Sequence, residues 1–242
     1  MASGDSKPLA VLLPGFGCDI DSMLELAHVL DSSKSIFHTT CEVFTSETSL
    51  NKMAARVVQR YPDSALLLIG FSMGGWVAQE VANRLGIQVK GLVLISSWTE
   101  APSEYLAIVQ DLHDQIRAGK TFDTFTPLVA EGFVKAESRD AMANRWASMV
   151  NRIGPEVFLR QTKAILDHPN VNHCISGIKS PVLAIAGAED ALLNPDDQFK
   201  CLRGCKSVQT TVLDSCGHNL IWERPKTVGD TIEQWLHSNF EH

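Results

Sequence analysis

Positive charge is in short supply in this sequence: 21 Lys and Arg face 28 Asp and Glu over 242 residues, a net charge of −7. An acidic chain has no general electrostatic attraction for a phosphate backbone, so nucleic acid is not an expected partner. Long apolar runs are also missing. Runs such as Ala65-Leu66-Leu67-Leu68-Ile69 fall far short of the roughly 20 residues that a bilayer span needs, so no membrane span is expected. The opening Met-Ala-Ser-Gly-Asp-Ser-Lys-Pro has neither the basic start and apolar stretch of a secretory signal nor the Arg-rich pattern of a transit peptide, and a cytoplasmic location is the expectation. Six cysteines, at 18, 41, 174, 201, 205 and 216, are too sparse for a disulfide framework. The pair at 201 and 205 lacks His or Cys partners at zinc-ligand spacing, so the cysteines read as reduced thiols. Repeats and low-complexity tracts are absent, and 45% apolar residues suffice for a core, which argues against intrinsic disorder.

What is present is an alternation of strand-like and helix-like segments. Residues 9–13, 65–69, 91–95 and 181–186 are short apolar runs closed by turn residues, the pattern of buried parallel strands. Residues 208–213 alternate and belong nearer an edge; residues 36–44 are a further candidate. Helical patterns at 22–30, 50–60, 76–85 and 227–240 lie between and after them. This order predicts an α/β fold, an open parallel sheet covered on both faces. The rhythm breaks after Trp98. From about residue 99 to 172 no convincing strand occurs, and Met142, Trp146, Met149, Val150 and Ile153 form a helical apolar stripe. Core packing accounts for each of these residues singly. As a whole, the segment reads as a helical insertion over the sheet's C-terminal edge, where ligands bind in open α/β folds.

Directly after the apolar run 65–69 comes Gly70-Phe71-Ser72-Met73-Gly74-Gly75, then a helical pattern. This is G-x-S-x-G between strand and helix, the setting in which a sharp turn exposes a serine. Neither a Walker lysine nor G-x-G-x-x-G spacing supports a phosphate loop instead. A nucleophilic serine needs a base oriented by a third group, and the usual chain order puts the acid and then the histidine after it. Asp190, following 181–186, and His218, following 208–213, fit that order. Glu189 and Glu100 are weaker acids for the role, Asp196 and Asp197 look like helix-cap residues, and His28, His113, His168, His237 and His242 sit in helical or terminal contexts. Oxyanion donors are expected at the backbone N–H of Met73 and of Phe16, the latter in the Pro14-Gly15-Phe16-Gly17 turn. Substrate-lining candidates are the Phe16 ring, Trp98, Trp146 and Met149. Ser72 precedes the break and the other two triad candidates follow it. One catalytic core from 1–98 and 174–242, with a cap at 99–173, is therefore expected.

With Leu-Leu-Pro-Gly-Phe-Gly (12–17), Gly-Phe-Ser-Met-Gly-Gly (70–75), Ala-Gly-Ala-Glu-Asp (186–190) and Cys-Gly-His-Asn (216–219), the chain resembles the α/β-hydrolase superfamily over essentially its whole length. It is similar to the small-esterase branch that contains the pimeloyl-acyl-carrier-protein methyl ester esterases, although Pro14 stands where many relatives carry His. The resemblance implies a mostly parallel sheet of about eight strands with a helical cap. Ser72 argues against the Asp-nucleophile dehalogenases and epoxide hydrolases. The expected function is serine carboxylic-ester hydrolysis of small or medium acyl esters, methyl esters included, with no metal or organic cofactor. A carbon–carbon bond hydrolase with the same triad, and a non-catalytic ligand-binding relative, stay open. Between Lys135 and Lys163, Lys135, Arg139, Arg145, Arg152, Arg160 and Lys163 outnumber Glu137, Asp140 and Glu156. This locally positive stretch is either a solvated surface or a docking face for an acidic carrier protein or a carboxylate-bearing substrate.

Overall fold

The computed structural model describes residues 8–32, 37–134 and 138–240. Six strands form one wholly parallel sheet in the order β2-β1-β3-β4-β5-β6. They are β1 (Leu9–Leu13), β2 (His38–Cys41), β3 (Leu66–Phe71), β4 (Val89–Ile95), β5 (Val182–Gly187) and β6 (Val208–Leu213). The count among the described residues is thus six, not the expected eight or so. The candidate strand at 36–44 shrinks to β2, and its first residue, Ile36, lies outside the described residues. β6, alternating in burial, takes the edge position.

Strand side chains alternate between two apolar layers. Val11, Leu13, Leu66 and Leu68 face one, beneath α2 (Leu50–Arg60) and α3 (Met73–Leu85). Ala10, Leu12, Leu67 and Ile69 face the other, beneath α1 (Leu24–Ser32) and α10 (Pro225–Phe240). Helix starts follow local chemistry. Ser49 Oγ accepts the Lys52 N–H at 3.3 Å at the head of α2, and Pro225 opens α10, where a missing N–H costs nothing.

Between β4 and β5 the chain runs through α4 (Ser103–Arg117), α5 (Thr126–Glu131), α6 (Arg139–Ile153) and α7 (Pro155–Asp167). Gly154, at φ +83°, makes the break between α6 and α7. The segment leaves and returns at one point: Ala101 N–H donates to Pro169 O at 2.8 Å, and Val171 N–H to Thr99 O at 2.7 Å. Two short helices, α8 (Pro195–Lys200) and α9 (Leu220–Glu223), follow β5 and β6. No helix among the described residues is long and apolar enough to cross a membrane.

Candidate active site

β1 lies between β2 and β3, so the chain leaves the sheet in opposite directions at the β1/β3 boundary, the place where open parallel sheets form ligand crevices. The register Leu13↔Gly70 sets the loop after β1 beside the turn after β3. In that turn Ser72 takes φ 51° and ψ −122°, a conformation that non-glycine residues adopt only when their surroundings impose it. The surroundings here are specific. Ser72 N–H donates to Ile95 O at 2.9 Å, and Ser97 Oγ donates to Ser72 O at 2.9 Å. The flanking glycines leave no space for a side chain. A Cβ on Gly70 would lie 2.5 Å from Gly74 O, one on Gly74 1.9 Å from Leu13 O, and one on Gly75 2.2 Å from Ser97 Oγ.

Three side chains from separate strand ends then meet. Ser72 Oγ is 3.2 Å from His218 Nε2, and His218 Nδ1 is 3.0 Å from Asp190 Oδ2. Nδ1 therefore carries the proton donated to the carboxylate, which leaves Nε2 free to accept from the serine hydroxyl. All three residues are buried. Asp190 is held on every side: its Oδ1 accepts the N–H groups of Leu192 and Leu193, and its Oδ2 also accepts Gln198 Nε2 at 3.2 Å. The histidine loop is held by Glu223, which accepts Gly217 N–H at 2.9 Å and Val134 N–H at 3.0 Å.

The two proposed oxyanion donors flank the serine. Met73 opens α3, so its N–H has no acceptor within the helix. The Phe16 turn packs on Ser72 so closely that a Cβ on Gly15 would lie 3.3 Å from Ser72 Cβ. Gln161, buried on α7, fixes that turn. Its Oε1 accepts Gly17 N–H at 2.7 Å, and its Nε2 donates to Phe44 O at 2.6 Å.

Above Ser72 and His218 lies a largely apolar cavity of about 480 Å³. Phe16, Trp146 and Met149 line it, together with Tyr105, Leu128 and Trp222. Trp98 does not. It is 1% exposed and packs edge-on between Trp76, at 5.1 Å, and Tyr105, at 4.5 Å. Gln79 anchors its carbonyl at 3.1 Å, so Tyr105 forms the wall in its place. Burial, helped by the charge of Asp190, pushes the Tyr105 hydroxyl well above its ordinary pKa. Burial likewise pushes the Cys18 thiol, also in the cavity wall, up to about 12, so it is no rival nucleophile near neutral pH.

The remaining candidates lie elsewhere. Glu100 is exposed and accepts Asn172 Nδ2 at 3.1 Å, and Glu189 is exposed. Asn194, rather than Asp196 or Asp197, caps α8, accepting Asp196 N–H at 2.8 Å. The arginines of the positive stretch are engaged within the chain. Arg145 pairs with Glu25 and lies 4.5 Å from the Trp222 ring, Arg152 pairs with Asp19 and Asp21, and Arg139 donates to Phe133 O. Lys135 and Glu137 lie outside the described residues. Ser97, Gln161, Gln198, Tyr105 and Glu223 escaped the sequence reading. Only Ser97, in the Ser96-Ser97 pair directly after β4, carried a positional signal.

Residues 13–225 match a family described as alpha/beta hydrolase fold. A pimeloyl-[acyl-carrier protein] methyl ester esterase of Yersinia pestis is 30% identical over 79% of this chain and 76% of its own. The biotin biosynthesis bifunctional protein BioHC of Cellvibrio japonicus is 25% identical over 95% of this chain but only 48% of its own, so the chain spans about half that relative's length. Among solved structures, the enol-lactonase of Burkholderia xenovorans LB400 superposes with a TM-score of 0.82 at 16% identity, covering 96% of this chain and 92% of that one; this likeness concerns the fold alone.

Proposed function

The chain belongs to the alpha/beta hydrolase fold family, and on that premise we propose that it is a serine carboxylic-ester hydrolase working through an acyl-Ser72 intermediate. The observation that carries this reading is the buried relay Ser72–His218–Asp190 opening into an apolar cavity. Ser72 Oγ attacks the ester carbonyl while its proton passes to His218 Nε2, and Asp190 stabilises the imidazolium through Nδ1–H. The N–H groups of Phe16 and Met73 receive the oxyanion. Collapse expels the alcohol, which takes the proton from His218. Water then loses a proton to His218 and attacks the acyl carbon, and Ser72 departs reprotonated.

In this reading residues 1–98 and 174–242 are the catalytic core, and 99–173 form a cap that walls the cavity with Tyr105, Trp146 and Met149. A cavity of about 480 Å³ suits the acyl chain of a small or medium ester. The name of the Yersinia pestis relative specifies a carrier-bound methyl ester, and we extend to this chain a preference for methyl esters, with an acidic carrier protein as a candidate partner. Docking at Arg145 and Arg152 would have to displace Glu25, Asp19 and Asp21.

Ser72→Ala is the direct test. It should lower turnover of a short p-nitrophenyl ester by about 10⁴-fold or more with an unchanged circular dichroism spectrum; undiminished turnover overturns the assignment. A panel of free and carrier-bound methyl esters of varied acyl length decides the substrate class. Equal kcat/KM for free and carrier-bound forms removes the carrier.

A further inference from the structure

On α3, about two turns beyond the serine, Glu80 faces the 3-10 turn Asn172–Gly177 that leads into β5. There its Oε2 meets Cys174 Sγ at 2.8 Å and His173 Nε2 at 2.9 Å, and the sulfur and imidazole nitrogen are 3.4 Å apart. Among the described residues this is the one group of three or more His, Cys, Asp or Glu side chains drawn together closely enough to hold a metal ion. We propose that Glu80, His173 and Cys174 form a reversible site for Zn²⁺ or a similar borderline transition-metal cation, clasping α3 to the turn that enters β5.

The donor set is one sulfur, one imidazole nitrogen and one carboxylate oxygen, a combination that selects Zn²⁺ over the hard cations Ca²⁺ and Mg²⁺. A tetrahedral zinc centre places such donors about 3.4–3.6 Å apart, so the present separations of 2.8, 2.9 and 3.4 Å need to open by less than about 1 Å. Around the ligands the scaffold is already formed. Arg84 holds the other carboxylate oxygen of Glu80, through Nε at 3.0 Å and Nη2 at 2.7 Å, leaving Oε2 turned to the cluster. The turn lies so close on α3 that a Cβ on Gly177 would overlap Asn83. Cys174 and Glu80 are buried, whereas the His173 side chain is 62% exposed. An ion therefore has an entry path, and solvent supplies its fourth ligand. On binding, the Cys174 S–H bond is exchanged for an S–metal bond and the thiol proton passes to buffer. The site lies apart from the Ser72 relay and shares no residue with it.

The test uses tag-free, chelator-treated full-length protein under a phosphine reductant. Co²⁺ titration should give one equivalent bound and a thiolate-to-cobalt charge-transfer band, and Zn²⁺, but not Mg²⁺ or Ca²⁺, should raise Tm. Cys174→Ser should abolish the band. Because Cys174 is buried, the exposed-side variant His173→Ala serves as the second arm, with affinity at least about tenfold weaker and the Zn²⁺-induced Tm rise diminished. Absence of stoichiometric uptake, or a band of undiminished intensity and affinity in either variant, overturns the site.

Discussion

Gln198 illustrates what single side chains contribute beyond the motif. Its Nε2 donates both to Asp190 Oδ2 and, at 2.9 Å, to Leu193 O, so it fixes the carboxylate and the loop that carries it. A hydrogen bond to a charged acceptor is worth more than a neutral one. Gln198→Ala should therefore lower kcat on a p-nitrophenyl ester by about tenfold, equivalent to ~1.4 kcal/mol, while KM stays within about twofold. Parallel changes in both constants, or none, would show that Gln198 does not act through Asp190. Ser72, Asp190 and His218 were legible because each sits in a turn directly after a strand-like segment, a local pattern. Gln198, Gln161 and Tyr105 were not. Their roles come from what they face across the fold: Gln161 bonds a turn 144 residues away. Trp98 stays out of the cavity wall for the same kind of reason: its position after β4 says nothing about Tyr105 lying over it.

At the element scale, the start of α3 packs directly on the end of β1 beside the turn at Ser72. A methyl at Gly74 has backbone, Leu13 O, in its way at 1.9 Å, and backbone cannot swing aside as a side-chain tip can. Gly74→Ala should therefore force β1 and α3 apart, cost about 1–3 kcal/mol or more, and displace Ser72 from His218. Thermal denaturation together with esterase assay checks this; a variant with wild-type Tm and activity would refute the packing account. Element existence was readable from periodicity, as in the hairpin-free alternation of strand and helix. Limits were less so. The start of α3 at Met73, ahead of the expected Trp76, was masked by Gly74 and Gly75, residues of poor helix propensity that tertiary contact nevertheless requires there. The helices between β4 and β5 were expected in kind, but the cavity formed between α4, α5 and α6 has no sequence signature.

Taken whole, the molecule buries several thiols, and this links its stability to alkaline pH. Burial raises Cys18 and Cys41 from 9.0 to about 12 and Cys216 to about 11. The unfolded chain releases these protons near pH 9 while the folded chain retains them, so the unfolded state binds fewer protons above that point. Their contribution is full below about pH 9 and is lost as pH rises toward 11–12. The urea midpoint should fall between about pH 8 and about pH 10.5, and less steeply in a Cys41→Ala, Cys216→Ala double variant; a double variant as steep as wild type would refute the linkage. By itself the sequence determined the fold class, the order of strands and helices along the chain, and the three residues that meet at Ser72. These depend on periodicity and on turns whose backbone geometry is written in neighbouring residues. The tertiary structure alone decided the number of strands, the exclusion of Trp98 from the cavity, the pairing of Arg145 and Arg152 with acidic residues of the loop after β1 and of α1, and the meeting of Glu80 with His173 and Cys174. Each of these depends on contacts between segments far apart in the chain, where packing and charge choose among partners that sequence spacing leaves equivalent.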